Sequence, residues 1–566
     1  MRLLLVLIFL ISFPAWSHQS SQTSSQRPLK WSYSNIPVRI MNTSSSLPAS
    51  TFWIDQSIAE WNAYSAFNVE RVSTGINQIS FSNNFSIYGS AVIGVTEVSY
   101  GSSGAIKSAS IFLNEQNYNF TATPGMPFGN TIYLKDVVTH ELGHFIGLSH
   151  SEVLNSSMFY QTFPGQSELG ADDIAGIRSK YDSGYGKISG HVKGGNDIGI
   201  LGVNVQAISR KSGEAIASIT NEEGAFEING LDLGDTYYLH TSKLKNLDAL
   251  PSYLATVQTA FCPSAYVASY FSQCGRVYDG IAQGISLSSS QTEVDVGDVS
   301  INCSVRVQED YVSEKLRGSS LPLEIFNYSL EPRLEKTHVG YFRLSELTTN
   351  TFSSADNFTV DLSGYAAVTG KYLKLRLISQ PLGHAIEYSM IVKKNSAVVG
   401  SFRRTANSEG TYKLDLAGNH ALSVSTATNT FEIEIKAKKF SIGDDNDYDY
   451  NYAIPDFLNF GSVQNIPYLL VMSLETISGP LVDTGVTLSD NASCLDAPFT
   501  YAVEKSNAKA DEEAATSEQV AAPVSCGTID PPSGPGPGSF LVILSLGFLL
   551  TILPCRFLKR HKKILS

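Results

Sequence analysis

The most constraining feature of this chain is a run of five fixed positions, His140-Glu141-x-x-His144-x-x-Gly147-x-x-His150. Two histidines four apart in a helix stand one above the other on the same face. Neutral imidazoles in that arrangement reach a single ion at about 2.0–2.1 Å. Gly147 stands where the chain must turn sharply at little steric cost, and His150 can then swing back as a third ligand. Three protein ligands leave a fourth position open, the arrangement of a catalytic rather than a structural zinc. Glu141 adjoins the first ligand and is placed to touch a water on the ion rather than the ion. Val138, Leu142 and Phe145 point elsewhere and can bury the helix.

The flanking sequence predicts an α+β domain over residues 28–182. Ser50-Thr51 can cap a helix whose Ile54, Ile58 and Trp61 form one apolar stripe. Short β-type runs follow, including Ala91–Val95 and Ser108–Leu113, and a second helix is expected to start near Thr131 and carry the histidines. An edge strand within Val92 to Tyr100 is expected to hold an extended substrate.

These motifs resemble the metzincin metallopeptidases, and more narrowly the matrixin branch. The resemblance implies a twisted sheet with three main helices. It also implies a methionine turn beneath the metal, where Ser156-Ser157-Met158-Phe159 falls, and a closing helix over Leu169–Tyr181. Asp172 and Asp173 suit the first turn of that helix. Astacin-like relatives place a metal-facing tyrosine where Tyr160 stands; here a pocket wall or core residue is the favoured reading. The family's cysteine-bearing propeptide has no counterpart, since no Cys precedes Cys262, and its second zinc and calcium loops are not visible, so one zinc is expected. The implied activity is that of a zinc endopeptidase acting on protein or peptide, its zinc-bound water activated by Glu141 as general base.

The chain has 566 residues, room for three or four domains. Its net charge of −13, without a long basic run, sets nucleic-acid binding aside. With 43% hydrophobic but only 16% charged residues, it suits β-rich extracytoplasmic domains. Residues 1–17 read as a signal peptide cleaved before His18. Residues 187–303 are expected to form a β-sandwich that resembles the carboxypeptidase regulatory-like domain, and 305–504 a second β-sandwich region. Asp445, Asp447, Asp449 and Asn451 alternate in a loop that could hold calcium, although Tyr450 stands where such a loop needs glycine, and an ordinary solvated loop is favoured. Residues 505–538 read as a low-complexity linker. The apolar stretch 540–558 then reads as a transmembrane or sorting helix, with a basic tail at 559–566 that should stay cytoplasmic. A permanent anchor and a tail processed after export are both open.

Of the six cysteines, Cys262 and Cys274 suit a local disulfide, and Cys494 could pair with Cys526. Cys303 has no assigned partner, and Cys555 sits at the membrane. The expected whole is an exported zinc endopeptidase at the cell envelope or surface. The alternative is a surface binding or adhesion protein with a vestigial metalloprotease-like head.

Overall fold

A computed structural model describes residues 20–23, 27–124, 130–159, 165–194, 199–221, 223–243, 269–271, 284–300, 335–343, 347, 351–361, 371–379, 386–405, 410–415, 430–439, 465–476, 519–520 and 524–528. The signal peptide, Tyr160, the Asp445–Asn451 loop, the 540–558 helix with its basic tail, and Cys262, Cys274, Cys303, Cys494 and Cys555 lie outside these residues. Among the described residues no helix is long and apolar enough to cross a membrane. The described residues all fall in one of two units; the other, Pro455–Leu458 with Asp530–Ser566, lies outside them.

The first region is built from β1 (Lys30–Trp31), β2 (Asn35–Ile40), α1 (Ser50–Asn62), β3 (Asn68–Val72), β4 (Gln78–Ser82), β5 (Val92–Tyr100), β6 (Ala105–Asn114), β7 (Asn119–Thr121), β8 (Thr131–Tyr133), α2 (Leu134–Ile146) and α3 (Ala171–Tyr181). The strands β3-β2-β4-β6-β5 form one sheet, parallel except at β5–β6, and β1 adds in parallel to β6. Trp61 of α1 donates from Nε1 to the Thr139 carbonyl at 2.8 Å, so α1 lies directly against α2. Apolar residues of the sheet and of α1 and α2, with Ile177 of α3, share one core. Helix α2 is buried along nearly its whole length. Its end is held by Trp31 Nε1 donating to the Phe145 carbonyl and the Tyr181 hydroxyl donating to the Ile146 carbonyl, each at 2.8 Å.

Two local expectations differ. Ser50 does not cap α1: it is buried as the first helical residue, and its Oγ accepts from the Ser44 backbone N–H at 3.1 Å. Thr131–Tyr133 is a strand rather than helix, because this β-branched and aromatic triplet pairs in parallel with β7 before the chain turns into α2.

The second region comprises β9 (Gly186–Lys193), β10 (Val203–Ser209), β11 (Ala215–Ile219), β12 (Ala225–Leu231), β13 (Thr236–Lys243), β14 (Ser269–Tyr270), β15 (Gly284–Ser286) and β16 (Glu293–Ser300). They form two sheets, β11-β10-β13-β14 with β15 on β13, and β12-β9-β16, over a shared apolar core. Helix α3 lies on β11 and β12. Gly230 has φ +74°, and a side chain there would overlap the Ala175 carbonyl of α3. The Asp172 carboxylate accepts from Ser151 Oγ and from the Ala217 N–H of β11, both at 2.7 Å. Val153 of the same loop joins Ile208, Ala215, Ala217 and Tyr238 in one cluster.

The third region holds β17 (Glu335–Arg343), β18 (Ser353–Asp361), β19 (Lys371–Ser379), β20 (Ile386–Lys394), β21 (Ala397–Thr405), β22 (Gly410–Asp415), β23 (Thr430–Lys439) and β24 (Asn465–Thr476). These give two antiparallel sheets, β17-β24-β19-β22 and β18-β23-β20-β21. Phe342 of the first sheet meets Tyr388 of the second, ring centroids 5.4 Å apart. The described residues beyond 182 are thus largely sheet.

Residues 505–538 are not wholly the plain linker their composition suggests. Within them β25 (Gln519–Val520) and β26 (Val524–Thr528) pair antiparallel with β5 of the first sheet. A segment that joins a preformed sheet edge satisfies its backbone there without needing a core of its own.

Candidate metal centre

Helix α2 presents His140 and His144 on one face, and the chain then reverses at Gly147, whose φ of +102° favours glycine. That turn brings His150 back, and one ring nitrogen from each of the three histidines lies within 4.8 Å of the others. All three rings are buried. The sequence spacing alone anticipates this grouping.

The hydrogen bonds fix the tautomers of two of them. His140 Nδ1 lies 2.7 Å from the Ser157 carbonyl, and His144 Nδ1 lies 2.9 Å from the Leu148 carbonyl. A carbonyl can only accept, so each Nδ1 carries the proton and each Nε2 keeps a lone pair. Those two Nε2 atoms face each other at 3.1 Å. Burial first, and then the neighbouring His150, pushes His140 down to about 3. Burial, then His140 and His150, holds His144 well below the usual imidazole range. Two lone pairs at this distance repel unless a cation lies between them, so the donor set fits a zinc ion held by His140, His144 and His150.

Glu141 is buried beside them and turned toward β5. Thr96 Oγ1 lies 2.5 Å from Glu141 Oε2 and 3.1 Å from the Glu141 backbone carbonyl. Gly94, two residues earlier on the same strand face, leaves room for this carboxylate: a Cβ there would stand 2.6 Å from Oε1. Sequence reasoning missed both Thr96 and Gly94. Their place beside Glu141 depends on how β5 lies against α2, which no local spacing encodes.

Met158 lies under α2, where Gly143 replaces what would otherwise be a side chain overlapping its sulfur. The turn around it hangs on one carboxylate. Asp173 accepts from Ser156 Oγ at 2.5 Å, from the Ser157 and Met158 N–H groups at 2.6 and 3.1 Å, and from the Gly170 N–H at 2.9 Å. Burial and the adjacent Asp172 push Asp173 up to about 7, against the hydrogen bonds from Ser156, Ser157 and Gly170. The sequence marks Asp173 only as an acid in a first helical turn. In the structure it also sets the Ser157 carbonyl that orients His140.

A histidine trio on a helix-and-turn, backed by a methionine turn, is a matrixin-like arrangement, and comparison with known sequences agrees. Residues 30–182 match the sequence model of the matrixin peptidase family. Residues 30–182 are a matrixin domain. Over 175 residues the chain is 29% identical to matrilysin of Rattus norvegicus, covering 27% of this chain and 58% of that protein. Over 68 residues it is 43% identical to the hatching enzyme of Paracentrotus lividus, covering 12% of this chain and 11% of that protein. The chain thus spans less than two thirds of either relative. The matrixin domain holds all three histidines, Glu141, Met158 and both glycines that make room around them.

Proposed function

We propose that this chain is an exported, zinc-dependent endopeptidase that hydrolyses peptide bonds in proteins. The observation that carries the reading is the trio of buried imidazole nitrogens within 4.8 Å of one another, beside a buried glutamate. His140, His144 and His150 would hold one zinc, and no residue described here supports calcium. When bound, zinc supplies a Lewis acid that acidifies water and polarises a carbonyl. Glu141 acts as general base, taking a proton on its carboxylate and passing it to the departing amine. Thr96 and Gly94 fix where that carboxylate stands. Met158 and Asp173 hold the turn that orients His140. Tyr160 remains assigned to the pocket wall or core.

The sheet pairs beyond residue 182 are read as β-sandwich accessory domains, the first of the carboxypeptidase regulatory-like type. Residues 1–17 serve as the export signal, and 540–558 tether the protein to the envelope or are processed after export.

The test is Glu141→Gln, compared with wild type for zinc content and for cleavage of an unfolded protein. Zinc at one per chain in both, with turnover lost by several orders of magnitude in the variant, is the expected result. Cleavage at the wild-type rate would remove Glu141 as the base. Zinc binding with no cleavage by either protein would favour a binding protein with an inert head.

A further inference from the structure

Strand β5 carries Thr96, whose hydroxyl meets the Glu141 carboxylate, and Gly94, whose lack of a side chain leaves that carboxylate room, and both of the strand's hydrogen-bonding edges are used. One edge pairs antiparallel with β6. The other is covered by a segment from far downstream: Gln519 and Val520 pair with Tyr100 and Ser99, and Val524, Ser525, Cys526 and Thr528 pair with Thr96, Val95, Gly94 and Val92. The register sets the backbone of Cys526 opposite Gly94 and that of Val524 opposite Thr96, level with Glu141. Strand β26 also comes close to α2, the helix that bears the histidines.

An extended protein chain is gripped mainly by main-chain hydrogen bonds to a free strand edge. A paired edge has no such groups to offer. We propose that β25 and β26 are an intrachain latch: they compete with protein substrate for the outer edge of β5 and keep the peptidase latent until displaced. This rests on the peptidase reading above. The latch need not bind tightly, because attachment to the same chain gives it a high effective concentration. It is also short, two residues and five, and so can yield to a longer substrate strand. A competitor of this kind reduces the fraction of molecules able to bind, which raises the apparent KM and leaves kcat alone.

The test uses the full-length, zinc-loaded chain, a deletion of 519–528, and the double variant Ser525→Pro/Cys526→Pro. Neighbouring residues of a strand present their N–H groups to opposite sides, so two adjacent prolines remove one that faces β5 whatever the parity. Hydrogen exchange of residues 92–100 is measured in a Glu141→Gln background, and kcat and KM for an unfolded protein in the active background. The expected results are exchange at least tenfold faster at outer-edge amides in both altered chains, and a KM at least tenfold lower with kcat unchanged. Equal exchange in all three chains would overturn the latch, as would faster exchange with unchanged KM. A cut within 519–528 that appears in wild type but not in Glu141→Gln would make the segment a substrate, and would also overturn it. If exchange differs as expected but every zinc-loaded chain is inert, the peptidase reading itself fails and takes the latch with it.

Discussion

Gly94→Ala tests whether the strand, and not only the helix, sets the position of the Glu141 carboxylate. The added Cβ would lie 2.6 Å from Glu141 Oε1 and 3.1 Å from both Cδ and Cγ. Ordinary contact begins near 3.4 Å, so the carboxylate must withdraw by about 0.8 Å, or β5 and α2 must part by as much. A displacement near 1 Å at a reacting group can cost roughly a hundredfold in rate, which corresponds to about 2.7 kcal/mol in the barrier. The expected outcome is kcat down by about a hundredfold, zinc still at one per chain, and a small fall in thermal midpoint from overpacking. Gly101→Ala is the control, because a Cβ there meets nothing nearer than Lys107 Cε at 3.8 Å. Thr96→Val supplies a second probe of the same carboxylate by removing its 2.5 Å hydroxyl partner. If both act through Glu141, their effects on kcat should combine less than additively. A zinc-loaded Gly94→Ala enzyme with wild-type kcat would refute the argument.

Other expectations concern the scaffold. Asp173→Asn leaves one oxygen to serve four donors, so about two buried groups lose their acceptor; a loss of roughly 2–5 kcal/mol in denaturant unfolding is expected, together with weaker zinc binding, and unchanged stability would refute the role given to this carboxylate. Chelation should lower the thermal midpoint and zinc should restore it, since saturation at a thousandfold above Kd stabilises by about 4 kcal/mol; an unchanged midpoint would mean that the trio holds no ion. His240 of β13 is buried between Tyr270 and Tyr341, neither ring nitrogen has a hydrogen-bond partner among the described residues, and burial pushes it down to about 3. The folded chain therefore binds fewer protons than the unfolded one between about pH 6.5 and 3, so this residue costs stability as pH falls through that window, by up to about 1.4 kcal/mol per pH unit. Midpoints of wild type and His240→Phe, measured across the window, should diverge as pH falls; parallel curves would refute this.

The grouping of the three histidines was legible in the sequence because its geometry is local. Four-residue spacing, a glycine turn and a three-residue return fix where His140, His144 and His150 meet, whatever the rest of the fold does. The parts that were not legible are those made by partners distant in the chain. Gly94 and Thr96 meet Glu141 only because β5 lies against α2, and Gly143 is small because Met158 and Trp61 both press on it. Ser50 looks like a cap by type, yet Ser44 engages its hydroxyl from outside the helix. Thr131–Tyr133 has a local preference for strand, which the apolar pattern leading into α2 masks. The pairing of β25 and β26 with β5 leaves no periodic or compositional trace, because backbone edges recruit backbone.

The contacts of Asp172 bear on what can be cut from this protein. One of its oxygens accepts from Ser151, next to the third histidine, and the other from Ala217 of the following region. Val153 and Gly230 tighten the same seam from either side. A fragment ending at residue 182 would keep all three histidines, yet it would expose Val153 and strip a buried carboxylate of one of its donors. Residue 182 is thus where the family match ends, while buried contacts run on at least through β12. The matrixin-like region cut at 182 is therefore expected to be less stable alone than in the full chain. Excision should loosen the His150 loop before it disturbs the helix that carries His140 and His144.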